Sequence, residues 1–393
     1  MEFVEKIKGK YWLVAIIFLF WASLYMYVPI LPVYAASLKN SVLGTAGLIV
    51  SMYGLTQFLL RIPLGITSDK LNNRKLFVML GLALSLVAAI GMGFSSSILG
   101  VAAYRGVSGI AAATWVIISV LFATHFSQGS IVKATGIAVF ISVFAQLFSS
   151  LAGGFVADYF GYLAPFIGAA ILAGIGLLCL PFFNEKEPSQ KINPAQENSK
   201  FNLGWYLVLI SLAAAVGQFI MYATTYGYIP ILAKQMGASS AQLGWLAAIM
   251  QLAYMIAAFG VGIFVSPRYE KMMAVIGIGL IGIASFWVLQ NQTVNDLFLN
   301  RFIYGIGHGL SYPVLMGLAI KPVANHYRVT AMGIFQAIYA FGMFAGPAIS
   351  GWIVGRAGLS VVFSTCGWIA IASIPIMLLA YALPVEIISP AVS

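Results

Sequence analysis

Uninterrupted apolar bands, each about 20 residues long, recur from one end of the chain to the other. This recurrence limits the folds open to it. A bilayer core about 30 Å thick is crossed by a helix of about 20 apolar residues. Helices satisfy their backbone polar groups internally, which an open strand in lipid cannot do. The bands are continuous runs rather than ten-residue segments of alternating polarity, so they read as helices and not as barrel strands. Of the 393 residues, 61% are hydrophobic and 8% charged, against about a quarter charged in a soluble domain. The sequence predicts an all-α, polytopic membrane protein with very little soluble mass.

Twelve transmembrane helices are expected, over 11–36, 43–66, 76–96, 98–124, 132–157, 162–183, 204–233, 241–265, 272–291, 297–320, 329–354 and 359–383. The first band is too long and too aromatic for a signal peptide and is expected to stay in the mature protein. The longest polar stretch, Asn184 to Asn202, is rich in Pro, Asn, Gln and Lys. That is linker composition. It divides the chain into an expected six-helix bundle over 1–183, a linker over 184–203 and a second bundle over 204–393.

Charge fixes the expected orientation. With a cytoplasmic N-terminus, the inner segments carry Lys6, Lys8, Lys10, Lys70, Arg74, Lys75, Lys133, Lys186, Lys191, Lys200, Arg268, Lys271, Lys321 and Arg328. The outer loops carry Lys39, Lys234 and Arg356. Fourteen against three is a strong positive-inside bias. Both termini and the linker are therefore expected in the cytoplasm. The net charge of +10 follows largely from this bias, so it is no argument for nucleic acid. Cys179 and Cys366 sit inside apolar bands and read as small buried hydrophobes. No metal pattern and no cofactor is expected.

The halves repeat. Tyr27–Pro32 (YVPILP) is echoed by Tyr228–Ala233 (YIPILA), Arg105–Gly109 by Arg301–Gly305, and Gly153–Gly161 by Ser350–Gly358, at offsets of 201, 196 and 197 residues. Three matches in order at nearly one offset imply two pseudo-symmetric bundles with a cavity between them.

The stretch Gly65–Lys75 (GITSDKLNNRK) concentrates charge between the second and third spans. A topogenic loop explains Lys70, Arg74 and Lys75, but not Asp69 or Gly65 four residues before it. Gly65, Asp69, Arg74 and Lys75 together resemble the signature of the major facilitator superfamily, although Asn72 and Asn73 stand where a small glycine is common. Arg105–Ala113 resembles the family's fourth-helix signature. Ala145–Gly154 resembles the fifth-helix signature of exporters, with Ser149 and Ser150 in place of Gly-Pro, while the eleventh span keeps Gly346 and Pro347. The chain as a whole resembles bacterial twelve-helix drug or metabolite efflux members. The resemblance implies a latch at Gly65, Asp69, Arg74 and Lys75 that holds the bundles while the transporter faces outward. Gly65 would permit close helix approach there. Arg61, on the same face, is expected to snorkel to the cytoplasmic surface or to steady Asp69.

Ionisable groups at membrane depth are functional candidates by default. Arg105 and Arg301 occupy equivalent positions and point either to the outer headgroups or into the cavity. Arg301, Tyr304 and His308 share one helix face. No span carries an interior Asp or Glu, which tilts the ligand toward neutral, zwitterionic or anionic compounds. Tyr25, Tyr27, Gln57, Trp115, Gln146, Gln218, Tyr222, Tyr226, Gln251, Tyr254, Gln336 and Tyr339 are candidates to line a cavity for amphipathic molecules. Some of these aromatic residues could instead belong to the interfacial belts. Pro29, Pro32, Pro230 and Pro313 are expected to kink or break helices. A proton could ride on His308, Asp69 or the solute.

No Walker motif appears, so ATP is not the direct energy source. No HExxH, paired carboxylates or serine–histidine arrangement supports an enzyme. The expectation is a monomeric secondary transporter in the cell membrane, surrounded by lipid and exporting a small organic solute against protons. Uptake or exchange of an organic anion, and lipid flipping, remain as alternatives.

Overall fold

The computed structural model describes residues 2–71, 73–125, 131–183, 204–323 and 328–382, and within these the side chains of 2–10, 69, 131–135 and 328–329 fall outside the description. The expected linker over 184–203 lies outside the described residues.

The first span is two helices, α1 (Glu2–Tyr25) and α2 (Leu31–Ser37), separated by turns over 26–30. The break holds Pro29, and Pro32 sits in the first turn of α2. A proline there lacks an N–H that the helix start would leave unpaired anyway. Next come α3 (Leu43–Leu71), α4 (Arg74–Phe94), and a fourth span split at Thr114 into α5 (Ile98–Ala113) and α6 (Trp115–Ala123). Helices α7 (Ile131–Phe160) and α8 (Ala164–Cys179) complete the first half. The second half opens with α9 (Trp205–Ala223), a π-helical turn over Thr224–Tyr228, and α10 (Ile229–Gln235). Pro230 cannot donate back to the carbonyl four residues earlier, which accounts for the loosened turn. Helices α11 (Ser240–Phe264), α12 (Glu270–Trp287), α13 (Val294–Ile320), α14 (Arg328–Ala357) and α15 (Leu359–Ala382) follow.

Among the described residues, eleven helical stretches are long and apolar enough to cross a membrane. Tyr11–Tyr25 with α2 forms the twelfth span. The chain is thus an all-α membrane protein of twelve helices in two bundles. The expected breaks at Pro29 and Pro230 are observed at repeat-equivalent places. Pro313, in contrast, is carried inside the unbroken α13.

Within the first half, α1 packs on α7 and α8, and α4 on α5 and α8. Within the second, α12 packs on α13 and α15, and α9 on α14. The halves meet along two helix pairs, α3 with α14 and α7 with α11. Repeat symmetry exchanges these pairs. The seam has two ends. The linker end carries Leu71, Asn73, Phe183 and Gly204; the far end carries the loops at 38–42 and 161–163.

Candidate functional site

Glycine sets how closely the halves meet at the far end. A Cβ added to Gly44 would lie 2.7 Å from the carbonyl oxygen of Gly351, and one on Gly47 would lie 2.8 Å from the Gly351 Cα. On the other pair, a Cβ on Gly154 would lie 2.7 Å from the Gly244 Cα, and one on Gly244 2.8 Å from the Ser150 carbonyl oxygen. Backbone presses on backbone at both places, as small residues allow. Asp158 adds a polar tie there: its Oδ1 accepts from the Ser240 N–H at 3.0 Å, at the N-terminus of α11. Such a helix start favours a negative group.

The same four faces carry a second set of glycines, Gly65, Gly136, Gly262 and Gly333. Each is 18 residues, about five helical turns, from its far-end counterpart. Among the described residues, none of these four has any neighbouring atom within 4 Å of an added Cβ. The expectation of close approach at Gly65 is therefore not met in this conformation: the seam is tight at the far end and parted at the linker end.

Between the two ends lies a cross-seam layer of phenols and amides. The hydroxyls of Tyr25 and Tyr222 are 3.5 Å apart. Tyr53 stacks on Tyr222 with centroids 6.0 Å apart, and Tyr25 meets Tyr226 edge-on at 5.9 Å. Gln251 Nε2 donates to Gln146 Oε1 and to the Tyr226 hydroxyl, both at 3.1 Å. Trp115 packs edge-on against Trp21 at 5.2 Å. Gln146, Tyr222, Tyr226 and Gln251 are thus brought together, with Trp115 reached through Trp21 and Tyr25. Tyr27 is not part of this layer; it stacks on Phe166 at 5.1 Å inside the first half.

Neither Arg105 nor Arg301 snorkels to headgroups. Arg105 is 2% exposed and lies 4.1 Å over the ring of Tyr53, with Nη1 donating to the Ser108 hydroxyl at 3.2 Å. Arg301 is 0% exposed, donates to the Thr225 hydroxyl at 2.9 Å and to Asn300 Oδ1, and lies 4.6 Å over Tyr304. Each arginine is held within its own half. Each also meets the span-one or span-seven break, Arg105 through the Tyr27 hydroxyl at 3.5 Å and Arg301 through Thr225.

Of the two roles expected for Arg61, steadying Asp69 involves a side chain outside the described residues, and snorkelling is not observed. Arg61 is 3% exposed. Its Nη2 donates to Gln57 Oε1 at 2.7 Å and its Nη1 to the Tyr339 hydroxyl at 2.6 Å, across the seam. His308 lies on the other side of this cluster, between Tyr254 at 5.2 Å and Tyr312 at 5.4 Å, and Tyr312 meets Tyr339 edge-on at 5.8 Å. Sequence reasoning missed Tyr53 and Tyr312. It also missed the far-end glycines, although Gly47 and Gly244, like Gly154 and Gly351, stand at the 197-residue offset of the repeat.

The rest of the expected latch is only partly visible. The Asp69 side chain lies outside the described residues. Lys75 Nζ donates to the Phe183 carbonyl at 2.6 Å, a contact within the first half. At the same end Lys321 and Glu270 form an ion pair at 3.0 Å.

Comparison with known proteins agrees with this architecture. The Major Facilitator Superfamily model matches residues 13–230 and 210–390. An uncharacterized MFS-type transporter, MJ1560 of Methanocaldococcus jannaschii, is 25% identical over 378 residues, 90% of this chain and 92% of that one. The inner membrane transport protein YajR of Escherichia coli K12 is 25% identical over 347 residues, 85% of this chain and 74% of that one. Among solved structures, a bacterial homolog of the human lysosomal transporter Spinster, inward-facing and occupied, superposes with a TM-score of 0.78 at 15% identity. It covers 97% of this chain and 98% of its own.

Proposed function

The chain belongs to the major facilitator superfamily, and from that premise we propose that it exports a small amphipathic organic solute in exchange for protons by alternating access. The family is one of transporters, and this chain is a transporter, not an enzyme. The proposal concerns the direction, the coupling ion and the solute class.

The observation that carries the alternating-access reading is the double set of seam glycines. Five are in backbone contact at the far end, and four of these have counterparts five turns away on the same faces with nothing near them among the described residues. A rigid rocking of the halves would part the first set and bring the second together. Glycine at the second set has no use in the present conformation and a clear one in the opposite conformation. With the linker end cytoplasmic, the present state receives solute from the cytoplasm. Gly65 would then close against Gly333 beside the Asp69 latch in the outward-facing state. The division into bundles over 1–183 and 204–393 about a linker supplies the two rocking bodies.

The phenol and amide layer supports an amphipathic solute, since aromatic walls with a few fixed polar groups suit such molecules. The lack of interior Asp and Glu supports a neutral, zwitterionic or anionic one. His308, Asp69 or the solute would carry the proton. The test is flux in proteoliposomes under an imposed pH gradient. Solute movement driven out of the compartment facing the linker end, and abolished by a protonophore, supports the reading. Movement indifferent to the gradient removes proton coupling, and accumulation on the linker side reverses the direction.

A further inference from the structure

Three arginines are buried at membrane depth, and none has a carboxylate beside it among the described residues, where the one acid–base ion pair is Lys321 with Glu270. A buried cation without a counter-charge is costly, and neutral hydrogen bonds return only part of that cost. Arg105 and Arg301 hydrogen-bond within their own halves, each capped by a tyrosine ring, although Arg105 Nε also lacks a partner among the described residues and Arg301 lines a small cavity with Pro29 of the first half. Of the three, Arg61 is the one that hydrogen-bonds across the seam, with partners on both sides of it.

Its position follows from the helix. Arg61 is 18 residues from the far end of α3 and ten from the linker end. At 1.5 Å per residue it lies about 6 Å past the middle of the helix, toward the parted end. Its guanidinium reaches Gln57 on α3 and the Tyr339 hydroxyl on α14, with a longer contact of 3.5 Å to the Gln336 carbonyl. Among the described residues Arg61 Nε, buried, has no partner. Two more buried polar atoms in this cluster, Gln336 Oε1 and His308 Nδ1, likewise lack partners among the described residues. Unpaired buried polar groups call for an explanation, and ligand recognition is one. The rings of Tyr254, Tyr312, Phe335 and Tyr339 pack around this cluster.

We propose that Arg61, rather than Arg105 or Arg301, recognises charge in the transported solute, and that the solute is an organic monoanion, a carboxylate on an aromatic body. The proposal rests on the transport reading above and adds the solute class and the residue that selects it. The carboxylate takes two parallel N–H bonds from the two terminal nitrogens of Arg61, a geometry that guanidinium offers and ammonium does not. It displaces the Tyr339 hydroxyl from Nη1 and competes with Gln57 Oε1 for Nη2. The aromatic body lies against Tyr312 and Tyr339, and a polar substituent can reach His308 Nδ1 or Gln336 Oε1. Because Tyr339 belongs to α14 and Arg61 to α3, the displaced bond is one that ties the halves together. Binding therefore changes the seam at the point where the halves must slide.

The experiment is thermal unfolding of the purified full chain in detergent with 4-phenylbutyrate, 1-naphthoate and indole-3-acetate, each paired with its own neutral carboxamide. At least one carboxylate is expected to raise the wild-type Tm by several degrees while its carboxamide does not. In Arg61→Gln the difference within each pair disappears; in Arg61→Lys it survives with affinity about tenfold weaker. Arg105→Lys and Arg301→Lys keep it. Tyr339→Phe, which removes the competing hydroxyl, tightens carboxylate binding several-fold. That variant and the wild-type pairs decide the matter should the Arg61 variants fail to fold. Carboxamides as effective as carboxylates, no response of the wild type to any of the carboxylates, a difference that persists in Arg61→Gln, or weaker binding in Tyr339→Phe would each overturn the proposal. Opposed opening of the two seam ends, measured by spin-label distances in the same preparations, would leave the transport reading standing if the charge assignment failed.

Discussion

The two ends of the seam are built from the same helices, the same faces and the same residue type, yet they are in opposite conditions. At the far end Gly44, Gly47, Gly154, Gly244 and Gly351 leave no room for a methyl group. About 27 Å along the axis, Gly65, Gly136, Gly262 and Gly333 have open space. A glycine inside a helix costs about 1 kcal/mol relative to alanine. Four such residues with no packing role in the observed state are a standing cost that this state does not explain. The difference is what the proposed rocking of the halves requires: one conformation uses the far-end glycines and the opposite one would use the second set.

The comparison can be broken most forcefully at the tight end. Gly47→Leu places a side chain where the backbone of α14 lies, and overpacking of this kind costs about 3 kcal/mol, close to 100-fold in population. The closed far end should be lost, with a matching fall in flux and a wider α3–α14 separation by spin labelling. Gly65→Leu sharpens the contrast. Among the described residues no atom lies within 4 Å of its Cβ position, so thermal stability should not fall and should rise by up to about 1 kcal/mol from helix propensity. Flux should nevertheless fall at least about tenfold, because the linker end can no longer close. A Gly65→Leu variant of normal flux would mean that the second glycine set is idle.

Asp158→Asn is expected to act more gently. It keeps the shape but removes the charge at the start of α11, worth about 0.5–1 kcal/mol. The population with the far end open should rise about two- to fivefold, read from the same label distances. The smallest effect is expected for Gly136→Ala and Gly333→Ala. Both should gain a few tenths of a kcal/mol, up to about 1 kcal/mol, in thermal unfolding from helix propensity alone. Destabilisation by either would show that the linker end is more tightly packed than observed.

Much of this was legible in the sequence. Apolar bands gave the spans, lysine and arginine the expected sidedness, and the offset of 197 residues the symmetry of the seam. The parts that were not legible have a common cause. Helical periodicity places a residue on a face, but not what stands opposite that face. Arg61 shares a face with Gly65 and Asp69, which suggested service to the latch; its partner turned out to be Tyr339, 278 residues away. Tyr27 and Tyr226 stand at the repeat-equivalent breaks of spans one and seven, yet one turns into its own bundle and the other to the seam. The π-turn over Thr224–Tyr228 followed from Pro230 only once the helix was known to continue past it. The split of the fourth span at Thr114 had no sequence signal that we can identify.

Label pairs on the two seam helices α3 and α14 offer the most direct test. One pair, Leu43 with Arg356, reports the far end, and the other, Leu71 with Thr330, the linker end; all four side chains are exposed. Both would be placed in a chain freed of Cys179 and Cys366. Distances measured across a range of pH and solute conditions should move in opposite directions, the far-end pair lengthening in the population in which the linker-end pair shortens. Distances that stay fixed in a chain that still transports, or that lengthen and shorten together, would contradict the account.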